Sequence, residues 1–332
     1  MTIKDIARAA SVSHSTVSRA LRDSPMVGRE TADRIRRIAQ ESGYRASAVA
    51  RSLATSRTRT IGVVVTSIAD PFAAEVVSGI EEAADSQGYS VILADSNADP
   101  EREVRVVTAL QERRVDGIVV TSSRVGALYV PLLAQMRVPI VLVNNQHPSE
   151  FVHSVMIGNR EAALAAVNHL VALGHRRIAY LGDRFGHQSD TERFAGYREA
   201  LEQADLPFTP ELVMHGDGKL EGGEQAMCRL LSLAARPTAV FCYNDMSAVG
   251  ALAGIRTRGL RIPEDISVVG FDDLPIARYT WPPLTTVRQP KRQMGRLAVE
   301  RLLSHPTGIE ENTTVPGELI VRASTAPLME ST

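Results

Sequence analysis

Short runs of β-branched and apolar residues alternate with longer amphipathic stretches from residue 61 onward, and this alternation constrains the fold more than any other feature. Unbroken apolar strands separated by helices are typical of a parallel sheet covered on both faces. We therefore expect an α/β structure. The runs predicted as strands are 61–65, 91–94, 117–121 and 140–143, and the helices predicted between them are 72–87, 101–114 and 128–136.

The same alternation begins again after residue 158. A chain of 332 residues can form two ordinary domains, and its apolar fraction of 44% is enough to fill their cores. We therefore expect two similar lobes, each with its own parallel sheet. In the second lobe the predicted helices are 160–173, 191–203, 221–234 and 245–258, and the predicted strands are 178–181, 239–242 and 267–271.

The first 60 residues differ from the rest of the chain in charge. They contain 12 Lys or Arg and 5 Asp or Glu, a balance of +7, out of 37 and 38 in the whole sequence. The other 272 residues therefore contain 25 basic and 33 acidic side chains, a balance of −8. A basic segment of this kind favours a polyanion such as nucleic acid as its partner. From charge alone, a solvated basic helix surface remains the alternative.

The pattern within residues 1–46 predicts three short helices. Thr2 and Asp5 have the spacing of a capping box at the start of the first helix. Ser13 can cap a second helix over 14–21, and a third over 29–42 stops at Gly43, a residue that favours the end of a helix. Two short helices joined by a tight turn and braced by a third indicate a helix-turn-helix unit.

In such a unit the second helix lies in the major groove, with its first residues at the base edges. His14 and Ser15 are the first outward positions, and Arg19 lies one turn further, where its guanidinium can bind guanine through two hydrogen bonds. A phosphate contact is the alternative for Arg19, because phosphate contacts outnumber base contacts. The predicted DNA-binding residues of the head are Thr2, Ser13, His14, Ser15, Thr16, Ser18 and Arg19.

The segment SHSTVSRAL at residues 13–21 resembles the recognition segment of the LacI/GalR (lactose-repressor/galactose-repressor) family of bacterial transcription regulators. The resemblance continues through the whole chain. It implies that His14 and Ser15 occupy the variable reading positions of the family and that Arg19 is its near-constant base contact. It also implies an α/β fold with an all-α head, in which a three-helix domain and a hinge precede a two-lobed effector domain like that of type I periplasmic binding proteins.

The hinge is expected over residues 47–59. Its helix-compatible part, 47–54, is shorter than the roughly 12 to 15 residues that a helix needs to be stable alone in water. The resemblance implies that this part folds when two subunits pair over the operator, with Ala50 and Leu53 against the minor groove. Leu53 would wedge between base pairs and kink the duplex. Packing of Leu53 against the body is the alternative.

The resemblance further implies that the body, residues 60–332, crosses between lobes near Gly158, Val287 and Val315. The first lobe would hold about 60–158 and 288–315, and the second about 159–287 and 316–332. A ligand would bind in the cleft at the carboxyl ends of the strands.

Polar residues that follow predicted strands, and aromatic residues near them, are the candidates for this cleft. Arg193 matches an arginine that the family uses on its effector. The predicted effector-binding residues are Phe72, Asn144, Asn145, Arg193, Phe241, Asn244 and Asp272, and the core is the alternative place for the two phenylalanines. Amides, carboxylates, a guanidinium and an aromatic face suit a sugar or sugar derivative. A nucleobase or nucleoside corepressor is the alternative effector.

Enzyme, metal and membrane interpretations fit the sequence poorly. No G-x-G-x-x-G follows the first strand and no G-x-S-x-G is present, so we predict no cofactor and no catalytic residues. Two histidine pairs, His147 with His153 and His169 with His175, have a spacing of six residues. Zinc ligands on a helix are spaced four residues apart, so no metal is expected. The start of the chain lacks a signal peptide and no apolar run suits a membrane span, which predicts a cytoplasmic protein rather than an exported solute-binding protein.

The predicted partners are a roughly palindromic double-stranded DNA operator, a small-molecule effector and a second copy of the chain. Paired reading heads require symmetry-related half-sites, so a homodimer is expected. The predicted function is sequence-specific regulation of transcription, as a repressor whose operator affinity depends on the effector.

Overall fold

The computed structural model describes residues 2–21, 23–44, 57–123, 138–145, 153–304 and 312–328. The chain divides into two compact units, residues 1–59 and 60–332, and each is described by itself. The predicted helix over 128–136 and the hinge segment over 47–54 fall outside the described residues.

The first unit consists of three helices around a small apolar core. These are α1 (Ile3–Ala9), α2 (His14–Ala20) and α3 (Arg29–Glu41). The Thr2 backbone N–H donates to Asp5 Oδ2 at 2.9 Å, and Ser13 Oγ accepts from the Thr16 N–H at 3.1 Å, so both expected caps are present. Three side chains with no exposed surface, Ile6, Val17 and Ile35, hold the helices together.

The second unit contains two six-stranded sheets. The first sheet has the order β11-β5-β4-β3-β1-β2, and its strand pairs are all parallel. Its elements are β1 (Thr60–Val65), α4 (Pro71–Ser86), β2 (Ser90–Asp95), α5 (Pro100–Glu112), β3 (Gly117–Thr121), β4 (Ile140–Val143), β5 (Ser154–Ile157), α10 (Lys291–Leu303) and β11 (Thr313–Val315).

The second sheet has the order β12-β10-β9-β8-β6-β7 and is parallel except for the β10–β12 pair. Its elements are α6 (Asn159–Ala172), β6 (Ile178–Asp183), α7 (Gln188–Gln203), β7 (Val213–Gly216), α8 (Leu220–Leu231), β8 (Ala239–Cys242), α9 (Asp245–Thr257), β9 (Ser267–Asp272), β10 (Thr285–Arg288) and β12 (Glu318–Ile320). This arrangement confirms the expected fold class of a three-helix head and a two-lobed α/β body.

The chain passes between the sheets at three places. It leaves the first sheet after β5, returns to the first lobe between β10 and α10, and crosses again between β11 and β12. Helix α10 packs so closely on α4 that Gly295 has no room for a side chain. A Cβ at this position would lie 2.3 Å from the carbonyl oxygen of Val76. This close contact fixes the position of Lys291, the first residue of α10, relative to the first lobe.

No helix in the described parts of the chain is both long and apolar enough to span a bilayer.

Candidate functional site

Helix α2 separates its polar and apolar residues as a DNA-reading helix requires. Val17 and Ala20 are buried in the core of the head, whereas His14, Ser15 and Arg19 are exposed. Thr16 and Ser18 are half-buried beside them, and Thr2 and Ser13 are exposed at the starts of α1 and α2. The structure therefore brings the predicted reading residues of α2 onto one accessible face.

Arg19 differs from other arginines of the head in its partners. Arg36 pairs with Asp23 at 2.5 Å and with Asp33 at 2.7 Å, and Arg8 lies 3.5 Å from Asp5. No carboxylate in the described part of the head forms an ion pair with Arg19. Its guanidinium is therefore available for a base or a phosphate. Ala50 and Leu53, the predicted minor-groove residues, lie outside the described residues.

In the body, Arg193 lies at the carboxyl edge of the second sheet and is almost completely buried, with 3% of its surface exposed. It reaches this edge from α7. Its Nε donates to Asn159 Oδ1 at 2.9 Å and its NH1 donates to the carbonyl oxygen of Tyr243 at 2.6 Å. The guanidinium stacks on Phe271 with its carbon 3.6 Å from the ring centroid. These contacts fix the guanidinium plane without neutralising its charge.

Asp272 ends β9 and faces this guanidinium. Its Oδ1 lies 4.0 Å from NH1 of Arg193 and accepts a hydrogen bond from Gln289 Nε2 at 2.6 Å. Burial raises the pKa of Asp272 to about 6, although the charges of Arg193 and Lys291 oppose the shift. Asp70, at the start of α4 in the first lobe, is close enough for its charge to raise this pKa further. The two lobes therefore present charged groups to each other here.

Lys291 ties the Asp272 turn to the first lobe. Its ammonium donates to the carbonyl oxygens of Asp272 and Asp273 and lies 3.6 Å from Oε2 of Glu75 on α4. Both aspartates have positive φ, at 123° and 49°, so the turn itself is strained. The sequence analysis missed Lys291, because no local pattern reveals that the start of α10 reaches a strand end in the other lobe.

The predicted amides have mainly structural partners. Asn244 caps α9 by accepting from the Ser247 N–H at 2.8 Å, and its Nδ2 donates to the carbonyl oxygen of Gly218 at 2.9 Å. Asn145 is buried and donates to Ser154 Oγ at 3.2 Å. Asn144 is half-buried with φ at 51° at the end of β4. These residues lie at strand ends as expected, but the Asn244 amide already has two protein partners.

The two phenylalanines of the predicted effector site, Phe72 and Phe241, are both buried. Phe241 has no exposed surface and packs between Tyr180 and Phe271, so it is a core residue and offers no face to a ligand. This corrects its prediction as an effector contact, because its side chain projects from a central strand of the sheet into the core that Tyr180 and Phe271 share. Phe72 packs into the core with only 9% of its surface exposed. Tyr243, by contrast, lies beside Arg193, with the guanidinium carbon 4.9 Å from its ring centroid.

Two further residues of this edge carry functional groups that the sequence analysis did not identify. Asp183 ends β6 and is buried, and His187 lies in the loop before α7 with its ring nearly parallel to Tyr243, at an interplanar angle of 14°. The segment GDRFGHQSD gave no motif by which to find them. Only the position of Asp183 at a strand end, the same signal that identified Asp272, could have done so.

Two family descriptions match the chain. Residues 2–47 match bacterial regulatory proteins of the lacI family, and residues 167–325 match a periplasmic binding protein-like domain. The HTH-type transcriptional repressor PurR of Aliivibrio fischeri (strain MJ11) is 38% identical over 305 residues, which cover 91% of this chain and 90% of that protein. The HTH-type transcriptional repressor CytR of Escherichia coli (strain K12) is 35% identical over 332 residues, covering 98% and 97%.

The chain belongs to the lacI family of bacterial regulatory proteins.

Solved structures of lacI-family proteins agree with this assignment. A crystal structure of the Lac repressor dimer bound to operator and the anti-inducer ONPF has a TM-score of 0.90, with 30% identity and coverage of 98% of this chain and 99% of that chain. A LacI family transcriptional regulator from Enterococcus faecium with bound ribose has a TM-score of 0.74, with 29% identity and coverage of 81% and 100%. The family predicted from the segment at residues 13–21 is confirmed. As a lacI-family member, the chain is a DNA-binding transcriptional repressor, a regulator rather than an enzyme.

Proposed function

We propose that this repressor binds a roughly palindromic operator as a homodimer, in the cytoplasm, and that a small uncharged polar effector bound between its lobes controls operator affinity. The observation that carries the effector site is the buried pair of Arg193 and Asp272. Buried charged groups are costly unless they are paired or serve a function. Here the two charges lie 4.0 Å apart rather than in direct hydrogen-bond contact. A ligand hydroxyl can accept from the guanidinium and donate to the carboxylate.

A sugar or sugar derivative fits this chemistry best. Each hydroxyl of a sugar takes one directional contact, and Arg193 and Asp272 together supply a donor and an acceptor. A regulator of the same family and fold holds ribose. Asn144, Asn145 and Phe72 are proposed to contact the effector from the first lobe, and Asn244 to contribute at the edge of the site.

A nucleobase or nucleoside is the second candidate. The observation that favours it is the pair of nearly parallel rings of His187 and Tyr243 beside Arg193. Such rings provide a stacking surface for a planar base. In this case the effector would act as a corepressor, by favouring the lobe arrangement that pairs the two hinges, with Ala50 and Leu53 on the minor groove.

Control of operator affinity follows from the burial of the site. Arg193 and Asp272 expose 3% and 6% of their surfaces, so an effector reaches them only if the lobes part or neighbouring side chains move. Lys291 and Glu75 connect the Asp272 turn to α4 across the same gap. An effector that bridges Arg193 and Asp272 to the first lobe therefore shifts the balance between lobe arrangements.

The proposed dimer has support from the surface of the body. Strand β2 forms one edge of the first sheet, and its Ile92 and Leu93 are exposed. Tyr279 and Trp281 expose 85% and 82% of their surfaces in the second lobe. Exposed aromatic side chains and an apolar sheet edge are typical of interfaces. Sedimentation that found only monomers at operator-binding concentrations would contradict the dimer.

A screen of sugars and nucleosides tests the proposed function. An effector that binds the folded state raises the melting temperature of the repressor, and the same compound is then added to a repressor–operator mixture. The operator comes from selection among random duplexes. We expect at least one compound to change both the melting temperature and the operator affinity. A repressor that prefers no duplex over bulk competitor, with or without any of these compounds, would overturn the proposal.

The raised pKa of Asp272 predicts opposite pH dependences for stability and effector binding. In the unfolded chain Asp272 has its ordinary pKa of 3.8, and in the folded protein about 6. The folded state therefore holds the proton more tightly between these values, and the free energy of unfolding rises as pH falls from about 6 towards 4. A ligand hydroxyl that donates to the carboxylate needs it ionised, so effector affinity falls over the same range. Calorimetric titrations and denaturant unfolding at pH 4 to 8 measure the affinity and the stability. Asp272→Asn, the matched control, should remove this pH dependence of the affinity and reduce that of the stability, to which Asp70, Asp190 and Asp245, whose pKa values are also raised by burial, contribute as well.

A further inference from the structure

We propose that Asp183 is an additional effector-binding residue that accepts hydrogen bonds from hydroxyl or amino groups of the effector. This inference rests on the proposed function, because it assigns a second contact in the same cleft. It also defines the chemistry of the effector at this end of the site, where the ligand must supply donors.

The state of the Asp183 carboxylate is the main observation. The side chain exposes 1% of its surface. Within the described residues, Oδ1 accepts no hydrogen bond. Oδ2 forms an ion-pair contact with His187 Nδ1. A buried carboxylate oxygen without a donor is costly, because it has lost its hydration without replacement.

The donors near Asp183 bind a neighbouring carboxylate and leave Oδ1 of Asp183 without a hydrogen bond among the described residues. Asp190 Oδ1 accepts from the Tyr180 hydroxyl at 2.7 Å and from the backbone N–H of Asp183 at 3.0 Å. Asp190 thus accepts from both of these donors, one of which is the backbone N–H of Asp183 itself. Burial raises the pKa of Asp190, so the protein interior here is a poor environment for negative charge. Burial of a second carboxylate, Asp183, in this environment costs stability, which indicates that Asp183 has a function.

Asp183 is part of the same edge as the Arg193–Asp272 pair. It is the last residue of β6, next to β8 in the sheet, and the Tyr243 backbone N–H donates to the carbonyl oxygen of Leu181 at 2.8 Å. His187 contacts Asp183, and its ring centroid lies 6.4 Å from that of Tyr243. The Arg193 guanidinium carbon lies 4.9 Å from the centroid of the same Tyr243 ring. Burial raises the pKa of Tyr243, and the charges of Asp183 and Asp272 add to the rise. We therefore place a ligand of sugar or nucleoside size on Arg193 and Asp272 so that it extends past Tyr243 towards Asp183.

The chemistry of the group at this end follows from the carboxylate. An ionised carboxylate only accepts hydrogen bonds, so it binds hydroxyl, amino or amide N–H groups and repels phosphate or carboxylate groups. A vicinal diol or an exocyclic amine fits. His187 pairs with the other oxygen of the same carboxylate and would hold it in place, so towards Asp183 it acts as a positioning residue.

The test pairs a protein variant with ligand variants. D-ribose, adenosine and cytidine, each with its available deoxy forms, are titrated calorimetrically into the full-length repressor and into Asp183→Asn. We expect the variant to bind its best probe about 10- to 100-fold more weakly. With the unmodified repressor, one deoxy form should bind more weakly than its parent compound by a similar factor. With the variant, the same deoxy form should bind almost as tightly as its parent, because the two changes remove the same hydrogen bond.

Asp265→Asn is the matched control, with the same charge change in the same lobe. Asp265 lies just before the amino end of β9, at the opposite edge of the sheet, where it pairs with Arg261 at 3.2 Å. This variant should bind the probe with unchanged affinity. The melting temperature of each ligand-free variant is a second measurement. Asp183→Asn should melt at the same or a higher temperature, since it removes a buried charge of which one oxygen has no donor, and the amide oxygen can keep the contact with His187.

The outcomes separate this inference from the function on which it rests. The inference is overturned if Asp183→Asn binds the probe with unchanged affinity, or if every deoxy form loses the same affinity in both proteins. The proposed function stands in either case. A ligand-free Asp183→Asn that melts several degrees lower also overturns it, because Asp183 would then be a structural partner of His187. If no probe binds the unmodified repressor, the proposed effector class fails and the inference fails with it.

Discussion

Arg193→Ala is expected to abolish the response to effector while leaving operator binding intact. The guanidinium makes the central contact in the proposed cleft, held by Asn159, the Tyr243 carbonyl and the face of Phe271. Loss of a buried, charge-assisted contact costs about 1.5 to 3 kcal/mol, and loss of the stacking surface adds to it, so effector affinity should fall by at least about 100-fold. Titration of effector into the variant measures this directly.

The same substitution should also destabilise the body. It removes one of the two positive charges, those of Arg193 and Lys291, that stabilise the buried Asp272 carboxylate, and breaking a buried pair costs up to about 3 to 5 kcal/mol. The double variant Arg193→Ala/Asp272→Asn removes the remaining charge as well. It should recover much of the stability without recovering effector binding. Denaturant unfolding of the single and double variants separates loss of the fold from loss of the site.

Arg160→Ala is the control for Arg193. Arg160 also belongs to the second lobe, but its side chain is 59% exposed and pairs with Glu199 at 2.8 Å on the surface. Exposed pairs contribute about 0 to 1 kcal/mol, so this variant should keep both its stability and its effector response. An Arg193→Ala repressor that still binds effector with near-normal affinity would show that the cleft lies elsewhere.

Arg19→Ala is expected to remove most of the preference of the repressor for its operator over random duplex. The exposed guanidinium forms no ion pair in the described part of the head, and a bidentate contact to guanine contributes about 1 to 3 kcal/mol of discrimination. Operator affinity should fall roughly 10- to 100-fold, with little change in binding to random DNA. The fold should be unaffected, because the side chain lies outside the core.

The salt dependence distinguishes base reading from a phosphate contact. If Arg19 only held a phosphate, its loss would weaken binding to every duplex and reduce the slope of log affinity against log salt by about 0.9. Competition binding at several salt concentrations measures both quantities. Arg36→Ala is the control, because Asp23 and Asp33 already occupy that guanidinium. Equal losses on operator and random DNA would refute the base-reading role.

Local patterns predicted much of this molecule correctly. The strand runs 117–121, 140–143 and 239–242 match β3, β4 and β8 residue for residue, because a buried parallel strand needs a continuous apolar run. The caps at Thr2 and Ser13 were also predictable, since capping depends on residues three positions apart. The charge of the head and the outward face of α2 follow from the same short-range information.

Short or irregular elements were not predicted. Strands β11 and β12 have three residues each, too few to show a period, and the antiparallel β12 forms by pairing with β10, which is distant in the sequence. Helix α10 begins directly after Pro290, where the chain changes lobes, so its apolar face is buried against elements more than a hundred residues away. Such elements depend on long-range contacts that a window of sequence does not contain.

The sequence by itself determined the alternation of strands and helices in two lobes, the separation of a basic head from an acidic body, and the family to which the chain belongs. These depend on periodicity, charge and short segments, which are properties of neighbouring residues. Only the tertiary structure decided that Phe241 is a core residue, that Arg193 stacks on Phe271 beside Asp272, and that Asp183 is buried with one carboxylate oxygen lacking a donor among the described residues. Burial and partners of a side chain depend on which distant strands become neighbours, and that is set by the packing of the whole sheet.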